Sequence, residues 1–290
     1  MYQLLVSRAN QPSIRVIQLS DCHLFKNPEG KLLGLNTEHS LAEVMDLIEA
    51  EQPGMDLVLA TGDLSQDGTG DSYARFHQHM ARFACPVYWL PGNHDLTDIM
   101  VNHQVAQRMS PCVIELENWH IIMLDSTIRG KVPGNFTASE LLFLDRSLQA
   151  SAGKHVLIAL HHQPVPVGSH WLDQQIVGNA ADFFKVVDKY SNVKTILWGH
   201  VHQVFETVRN GVKLMSVPST CVQFKPKSQD FAVDSAAPGY RWLDLHADGR
   251  VETGGPVQRE LVGENFLAYA AYLRGAAPRP TTRLIDSRPF

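Results

Sequence analysis

The sequence predicts an α/β fold in which two mixed β-sheets pack together and are flanked by helices. Over roughly the first 200 residues, strand-sized apolar runs alternate with amphipathic helical patterns, which is typical of layered α/β proteins. Beyond them, shorter strand patterns follow one another with tight-turn signals between. With 44% apolar and 19% charged residues among 290, the chain can bury the core of one large domain.

The predicted elements follow from hydrophobic periodicity. Six apolar runs predict buried strands: Ile14–Ser20, Asp56–Ala60, Pro86–Leu90, His120–Leu124, His155–Leu160 and Lys194–Trp198. The helical patterns between them cover Thr37–Glu51, Ser72–Phe83, Thr137–Ala150 and Asn179–Tyr190, with Thr37, Thr137 and Asn179 as expected N-caps. Later strands are predicted at Gln203–Val208, Val212–Val217 and Tyr240–Leu245, beside the turn signals Asn210-Gly211 and Asp248-Gly249.

The remaining segments suggest loops within one continuous domain. Pro164–Gln174 is rich in proline, glycine and aromatic residues, and Lys225–Pro238 is polar, so both are predicted to be irregular. We expect a single domain over residues 1–275. The tail at 276–290 carries proline, arginine and threonine with little to bury, which predicts poor order there.

Charge and composition exclude several classes of partner. The net charge of -5 offers no basic surface for a phosphate backbone, so we expect no nucleic-acid partner. No apolar run is long enough for a membrane span, and Met1–Gln18 lacks a signal-peptide pattern. The four cysteines are scattered without CxxC spacing, as in reduced cytoplasmic proteins. The sequence therefore predicts a cytoplasmic protein with a small-molecule partner.

Polar, chemically capable side chains follow five of the predicted strands. These segments are Asp21-Cys22-His23, Thr61–Leu64, Pro91–Asp95, His161-His162 and Gly199–His202. The carboxyl ends of strands are where open α/β sheets place their ligand sites. Imidazole nitrogens with carboxylate or amide oxygens suit ions such as Fe, Mn or Zn. Five such segments in register predict a metal site.

The spacing within these segments favours two ions close together. In Asp21-x-His23 and His200-x-His202, a period of two would place both side chains on one side of an extended segment. Glycines at positions 62, 92 and 199 would allow close approach of the backbone. Two cations about 3.5–4 Å apart can clamp a phosphate and activate water, and a carboxylate between them would offset their repulsion. Asp63 is the candidate for that carboxylate.

In this order the motifs resemble the calcineurin-like metallophosphoesterase family, whose pattern is DxH, GDxxx(x)G, GNHD or GNHE, an isolated His, then GHxH. Here these are Asp21–His23, Gly62–Gly68, Gly92–Asp95, His161 and Gly199–His202. The resemblance implies a four-layer αββα metallophosphoesterase sandwich holding two metal ions. It assigns Asp21, His23, Asp63 and His202 to one ion, and Asp63, Asn93, His161 and His200 to the other, with Asp63 shared. It also points to His94 as the catalytic histidine.

A closer resemblance, over most of the chain, is to the bacterial 3′,5′-cyclic-AMP phosphodiesterases, the class III enzymes of that superfamily. It rests on the segments Leu124–Ser126, Ser169–Gln174, Pro218–Pro226 and Leu245–Gly249. It implies hydrolysis of cyclic AMP to 5′-AMP in the cytoplasm, by a bridging hydroxide attacking phosphorus. His94 would assist the leaving 3′-oxygen, and the expected substrate contacts are Asn93, His94, His23 and His202.

Several residues keep alternative interpretations. Each Asp or Asn after a strand could alone be a turn former, and His94 could be a further ligand. His162 is expected to be a neighbour of the site facing its outer side or solvent, and Asp67 could orient His94. Cys22 could ligate as thiolate or fill buried space. Trp171 and Phe224 could stack on a purine or pack a loop against the core.

Two other functions remain as alternatives from the sequence. The same metal centre would serve a broader phosphodiesterase acting on 2′,3′-cyclic nucleotides or glycerophosphodiesters. A non-catalytic scaffold would be expected to have lost ligands or the catalytic histidine, and here every motif position is filled.

Overall fold

The computed structural model describes residues 2–3, 13–103 and 109–254, and the predicted tail at 276–290 lies outside them. Two main sheets form the fold. The seven-stranded sheet has the spatial order β1 (Tyr2–Gln3), β7 (Cys112–Glu115), β8 (Trp119–Met123), β9 (His155–Ala159), β10 (Val193–Trp198), β12 (Val212–Ser216) and β11 (Glu206–Arg209). The five-stranded sheet has the order β16 (Val251–Thr253), β15 (Arg241–His246), β2 (Ser13–Leu19), β5 (Leu57–Thr61) and β6 (Val87–Leu90).

Both sheets are mixed, as predicted. β2, β5 and β6 run parallel in the smaller sheet, and β8, β9, β10 and β12 run parallel in the larger one. Antiparallel strands β15, β7 and β11 join them at neighbouring positions. Parallel strands bring their carboxyl ends to the same edge of a sheet, so each sheet has one edge at which the connecting loops gather.

Helices cover the outer faces of the two sheets. These are α1 (Thr37–Glu51) and α2 (Gly70–Met80) on the smaller sheet, and α4 (Ala138–Ala150) and α6 (Ala180–Val187) on the larger. Strand β2 shows the layering because its side chains alternate: Ile17 packs with the helices, whereas Val16 packs between the sheets against residues such as Leu157. The predicted four-layer αββα architecture is confirmed.

Short elements complete the described chain: α3 (Thr97–Met100), a 3₁₀ turn at Val101–His103, α5 (His170–Asp173), and the ribbons β3 (Lys31–Leu32) with β4 (Leu35–Asn36) and β13 (Gln223–Phe224) with β14 (Val233–Asp234). The prediction of purely irregular loops was wrong in part. Pro164–Gln174 contains α5, and Lys225–Pro238 contains β14. Both pieces are too short for periodicity to show them. None of the helices in the described ranges has the length and apolar character needed to cross a bilayer.

Two of the three predicted N-cap positions are confirmed, and one was wrong. The Thr137 hydroxyl accepts from the Glu140 amide and caps α4, as predicted. α1 is capped by Asn36, whose Oδ1 accepts from the His39 amide at 2.9 Å, because Thr37 is already helical. Asn179 is the N-cap residue of α6, as predicted, but its side chain makes no capping hydrogen bond and accepts from the Phe136 amide instead, which connects two loops.

Candidate metal centre

The five polar segments predicted from the sequence meet where the carboxyl edges of the two sheets adjoin. Three follow β2, β5 and β6, and two follow β9 and β10. The amide of Asp21 donates to the Gly62 carbonyl at 2.9 Å within one sheet, and Gly199 N donates to His161 O at 3.1 Å within the other. His161 Nδ1 lies 2.8 Å from Thr61 O and so links the two sheets. These hydrogen bonds between protein groups therefore hold the loops in one arrangement without the help of a metal ion.

The backbone at these loops is in the left-handed region, which non-glycine residues seldom adopt. The residues are Asp21 (φ 57°), His23 (φ 48°), Asp63 (φ 51°), His200 (φ 63°) and His202 (φ 45°). The predicted proximity within each D-x-H and H-x-H pair is found, but the reason given from an extended period of two was wrong. Strained residues persist where surrounding structure over-determines them, and they cluster at functional sites.

Two imidazoles face each other with unprotonated nitrogens. His23 Nδ1 lies 2.6 Å from Gln66 Oε1, and His202 Nδ1 lies 2.9 Å from the Val222 carbonyl oxygen. Oxygens of these types only accept, so both Nδ1 atoms carry the proton and both Nε2 atoms present a lone pair. Those two Nε2 atoms lie 3.1 Å apart. Two lone pairs do not bond to each other, so this geometry suits a cation between them.

Two further imidazoles repeat this arrangement on the other side. His161 Nδ1 donates to Thr61 O, which aims Nε2 into the cluster, 3.3 Å from Asn93 Oδ1 and 3.5 Å from Asp63 Oδ2. His200 Nε2 is buried and has no hydrogen-bond partner among the described residues. A buried polar atom without a partner is costly unless an ion or water occupies the position beside it.

Two carboxylates lie among these nitrogens. Asp63 Oδ2 is 3.7 Å from His23 Nε2 and 3.5 Å from His161 Nε2, so it stands between the two groups. Asp21 Oδ1 is 3.3 Å from His202 Nε2, and the His200 amide donates to both Asp21 oxygens at 3.1 Å. The structure thus brings all seven predicted ligand residues together, six of them buried and Asn93 half-buried, with Asp63 between the two groups of histidines.

The electrostatics of the cluster favour bound cations. Burial opposes ionisation of Asp63, but neighbouring His161 and His94 outweigh it and hold the pKa of this carboxyl well below its ordinary value. Burial would lower the pKa of His161, yet Asp63 raises it to about 9, so this carboxylate attracts positive charge to the position between them. Burial, aided by neighbouring histidines, lowers the pKa of His23 to about 3. An ionised carboxylate among imidazoles is a donor set for divalent ions such as Fe, Mn or Zn, which compete with protons for the same nitrogens.

Two neighbouring residues have structural roles. His162 is fully buried, and its ring nitrogens bond to Ser126 Oγ (2.8 Å) and Val132 O (2.9 Å); it borders the site, and the solvent-facing alternative was wrong. Cys22 is buried filler in the core beside α1, and burial raises the pKa of its thiol well above normal.

Asp67 does not orient His94. Within the described part of the chain its carboxylate accepts from Lys26 N at 2.7 Å, from Thr69 Oγ1 at 2.8 Å and from Ser65 Oγ at 3.3 Å. That prediction was wrong, because Asp67 stabilises the turn that leads into α2.

Two supporting residues were missed from the sequence. Gln66 fixes the tautomer of His23 through Nδ1, and ligand-orienting partners of this kind matter to metal sites. Asp95 accepts from the amides of Gly92, Leu64 and Ser65 at 2.8, 3.2 and 3.0 Å, so it joins the loops that carry Asp63 and Asn93. Asp95 lies within the recognised Gly92–Asp95 motif, but its partners are distant in sequence.

An open cleft leads to the cluster. His94 lines this cleft: its amide donates to Asp63 Oδ1 at 2.8 Å, and its ring meets the His23 ring edge-on at 5.0 Å. The cleft walls are apolar and include Leu32, Trp171 and Phe224. The site can therefore hold a substrate with a charged end over the cluster and an apolar end along the walls.

This chain belongs to the calcineurin-like phosphoesterase family, whose characteristic pattern it matches over residues 14–204. It is an enzyme of a hydrolytic family. The chain is 44% identical to the 3′,5′-cyclic adenosine monophosphate phosphodiesterase CpdA of Pseudomonas aeruginosa, over 85% of this chain and 90% of that one. Identity to the CpdA of Escherichia coli K12 is 40%, over 86% and 92% respectively.

Solved structures agree on the fold. A dimetal phosphatase from Danio rerio superimposes with a TM-score of 0.62 at 15% identity, covering 84% of this chain and 99% of that one. A purple acid phosphatase from yellow lupin superimposes with a TM-score of 0.57 at 14% identity, covering 93% and 57%. At these identities the likeness shows a shared fold alone.

Proposed function

We propose that this chain hydrolyses 3′,5′-cyclic AMP to 5′-AMP at a centre of two metal ions. The observation that carries the proposal is the convergence of the His23 and His161 Nε2 atoms on Asp63, beside His202 and Asp21, beneath an open, apolar-walled cleft. The substrate is supported by relatives at 40–44% identity that are named cyclic AMP phosphodiesterases.

The donor set divides into two ion sites that share Asp63. Asp21, His23 and His202 complete one site, and Asn93, His161 and His200 complete the other. When bound, the two ions supply positive charge to the phosphoryl oxygens and an activated water. We infer iron, manganese or zinc as the ions and the cytoplasm as the location, in keeping with four cysteines, all in the described part of the chain, that form no disulfide bond.

The protein's own groups act on the leaving group and on substrate orientation. His94 lines the cleft beside Asp63 and His23, so its imidazole is positioned to donate a proton to the departing ribose 3′-oxygen. The backbone bond from His94 N to Asp63 Oδ1 fixes this histidine relative to the shared carboxylate. Asn93, His23 and His202 also border the cleft and would contact the phosphoryl group.

The test is a substrate panel on metal-free protein reconstituted with Fe²⁺, Mn²⁺ or Zn²⁺ in turn. We expect kcat/KM to be higher for 3′,5′-cyclic AMP than for 2′,3′-cyclic AMP or a glycerophosphodiester, with 5′-AMP as product. His200→Ala should lose bound metal and activity, whereas His170→Ala, which changes an exposed histidine on α5, should lose neither. Preference for a 2′,3′-cyclic nucleotide would overturn the substrate assignment.

A further inference from the structure

Three aromatic rings form a corner in the wall of the cleft. Trp171, Phe224 and Phe231 lie 5.0–5.5 Å apart between centroids, and each pair of ring planes is inclined by 70–75°. All three line the same cleft as His94 and the metal-ligand cluster. We call Trp171, Phe224 and Phe231 the aromatic corner.

Contacts within the protein explain the positions of two of the three rings in the aromatic corner. Phe224 stacks flat on the His202 ring at 4.2 Å and 12°, so it supports a ligand residue. Trp171 donates from Nε1 to Ser228 Oγ at 3.1 Å, which fastens the loop of α5 to the loop after β13. Phe231 is different, because 37% of its surface remains exposed. The structure therefore holds an aromatic surface open to the cleft within a fixed frame.

A glutamine beside the aromatic corner has an amide available for a ligand. Gln175 comes one helical turn after Trp171, so both lie on the same side of that segment, and both line the cleft. Across the described ranges, the Gln175 carboxamide makes no hydrogen bond to the protein. Its neighbour Gln174 is the opposite case, since it is exposed and its Nε2 lies 2.9 Å from His170 Nε2.

We propose that the aromatic corner and Gln175 form the nucleobase subsite, and that Gln175 is the residue that favours adenine over guanine. This inference rests on the proposed function. Adenine presents an amino donor beside a ring-nitrogen acceptor, and a carboxamide pairs with both at once. Guanine presents two acceptors, O6 and N7, at the corresponding edge, to which a carboxamide offers only one matching pair. An aromatic surface binds the flat face of either base.

The specificity test compares two variants that carry the same change at adjacent positions. Gln175→Leu keeps the size of the side chain but removes both amide groups, so adenine loses two matching pairs and guanine only one, and the ratio of kcat/KM for cyclic AMP over cyclic GMP should fall roughly 5- to 100-fold. Gln174→Leu makes the same change outside the cleft and should leave that ratio within about twofold of the original. An unchanged ratio in Gln175→Leu would overturn the assignment of Gln175.

The stacking test uses Phe231→Ala, a change at a partly exposed loop residue. KM for cyclic AMP should rise roughly 5- to 100-fold, while kcat/KM for bis(p-nitrophenyl) phosphate, a phosphodiester without a nucleobase, should not fall. An equal loss with both substrates would show a structural defect and overturn the stacking role. If the wild-type enzyme cleaves only the nitrophenyl ester, the proposed function fails and the subsite with it; if it cleaves cyclic AMP but Phe231→Ala is silent, only the subsite fails.

Discussion

At the scale of single residues, the role of each histidine in the site depends on the hydrogen-bond partner of its Nδ1 atom. His23, His161 and His202 each direct Nδ1 to a protein oxygen, which leaves the Nε2 lone pair available to a metal ion. His162 uses both nitrogens in bonds to the protein and has none left for a metal. Residue type alone does not separate these cases, because the difference lies in the acceptor that each ring meets.

His94→Ala should separate proton donation from metal binding. We expect kcat to fall by roughly 10²–10⁴-fold, because the leaving oxygen loses its proton donor. Both ions should remain, since the backbone amide at position 94 is kept in the variant and can still donate to Asp63. Metal analysis beside steady-state kinetics checks this, and loss of an ion from the variant would identify His94 as a ligand instead.

Asp63→Asn should cost the protein both ions. The carboxylate lies between His23 Nε2 and His161 Nε2, so in the proposed centre its charge would act on both ions. A neutral amide cannot offset the repulsion between two cations in the same way. Metal content after dialysis is the measurement, with Asp67→Asn as a matched control at a carboxylate bound to the turn before α2. One intact site in Asp63→Asn would argue against sharing.

At the scale of elements, the loops need glycine where backbones approach closely. A Cβ at position 199 would meet Ser20 Oγ, lie 2.8 Å from Asp21 Oδ2 and lie 2.9 Å from Thr61 O. The Ser20 and Asp21 side chains are buried and held by hydrogen bonds, and Thr61 O belongs to the backbone, so the loop after β10 would have to move away from the loop after β2.

Gly199→Ala should therefore weaken metal binding by displacing Asp21 and His200 together, and we expect at least a roughly tenfold rise in the metal dissociation constant. Gly178→Ala is the control, because its nearest neighbour, Asn135 Oδ1, would lie 3.4 Å away. Isothermal titration with Mn²⁺ measures both. Equal affinities would mean that the loop accommodates the methyl group.

The first turn of α4 predicts a pH effect on stability that is independent of the metals. Glu140 accepts from the Asp125 amide at 2.7 Å, and burial raises its pKa to about 7 from an ordinary value of 4.5. The folded state then holds a proton that the unfolded chain releases, so stability falls as pH rises from about 4.5 to 7 and stays reduced above that range.

Glu140→Gln removes this effect while keeping the acceptor for Asp125. We expect no gain near pH 4.5 and a Tm higher by about 2–4 °C at pH 8, after allowing for partial solvent screening. Thermal unfolding at both pH values is the measurement, and the exposed Glu117→Gln should change Tm at neither. A gain that is equal at both pH values would contradict the titration as its cause.

At the scale of the whole molecule, one buried arginine connects the two sheets. Arg241, on β15 of the smaller sheet, donates from Nε to Ser216 O at 2.9 Å and from Nη1 to Glu206 Oε1 at 2.6 Å, both in the larger sheet. Its side chain is fully buried, whereas Glu206 is half exposed. The pairing therefore neutralises a charge that has no access to water.

Removing the partner should cost more than removing the charge. Glu206→Ala leaves a buried guanidinium unpaired and should lower the free energy of unfolding by roughly 2 kcal/mol or more. Arg241→Met fills the space without a charge and should cost less. Urea denaturation of both variants gives the comparison, and the reverse order would show that the hydrogen bonds of Arg241, rather than its charge, dominate.

The sequence by itself determined the fold class and predicted which side chains meet at the site. Period-two and helical patterns are local properties, and residues such as Asp63 and His161 stand in motifs that fix their types and order. Features that depend on contacts between distant parts of the chain were decided only by the tertiary structure. In the tertiary structure the backbone of Asp21 and His23 lies in the left-handed region, and Asp67 forms hydrogen bonds within its own turn. Gln175 lies beside the aromatic corner. The protonated nitrogen of each histidine, the amide that stays available to a ligand and the carboxylate that lies between two histidines all depend on which atoms come into contact across the two sheets. Local sequence patterns carry no information about those contacts.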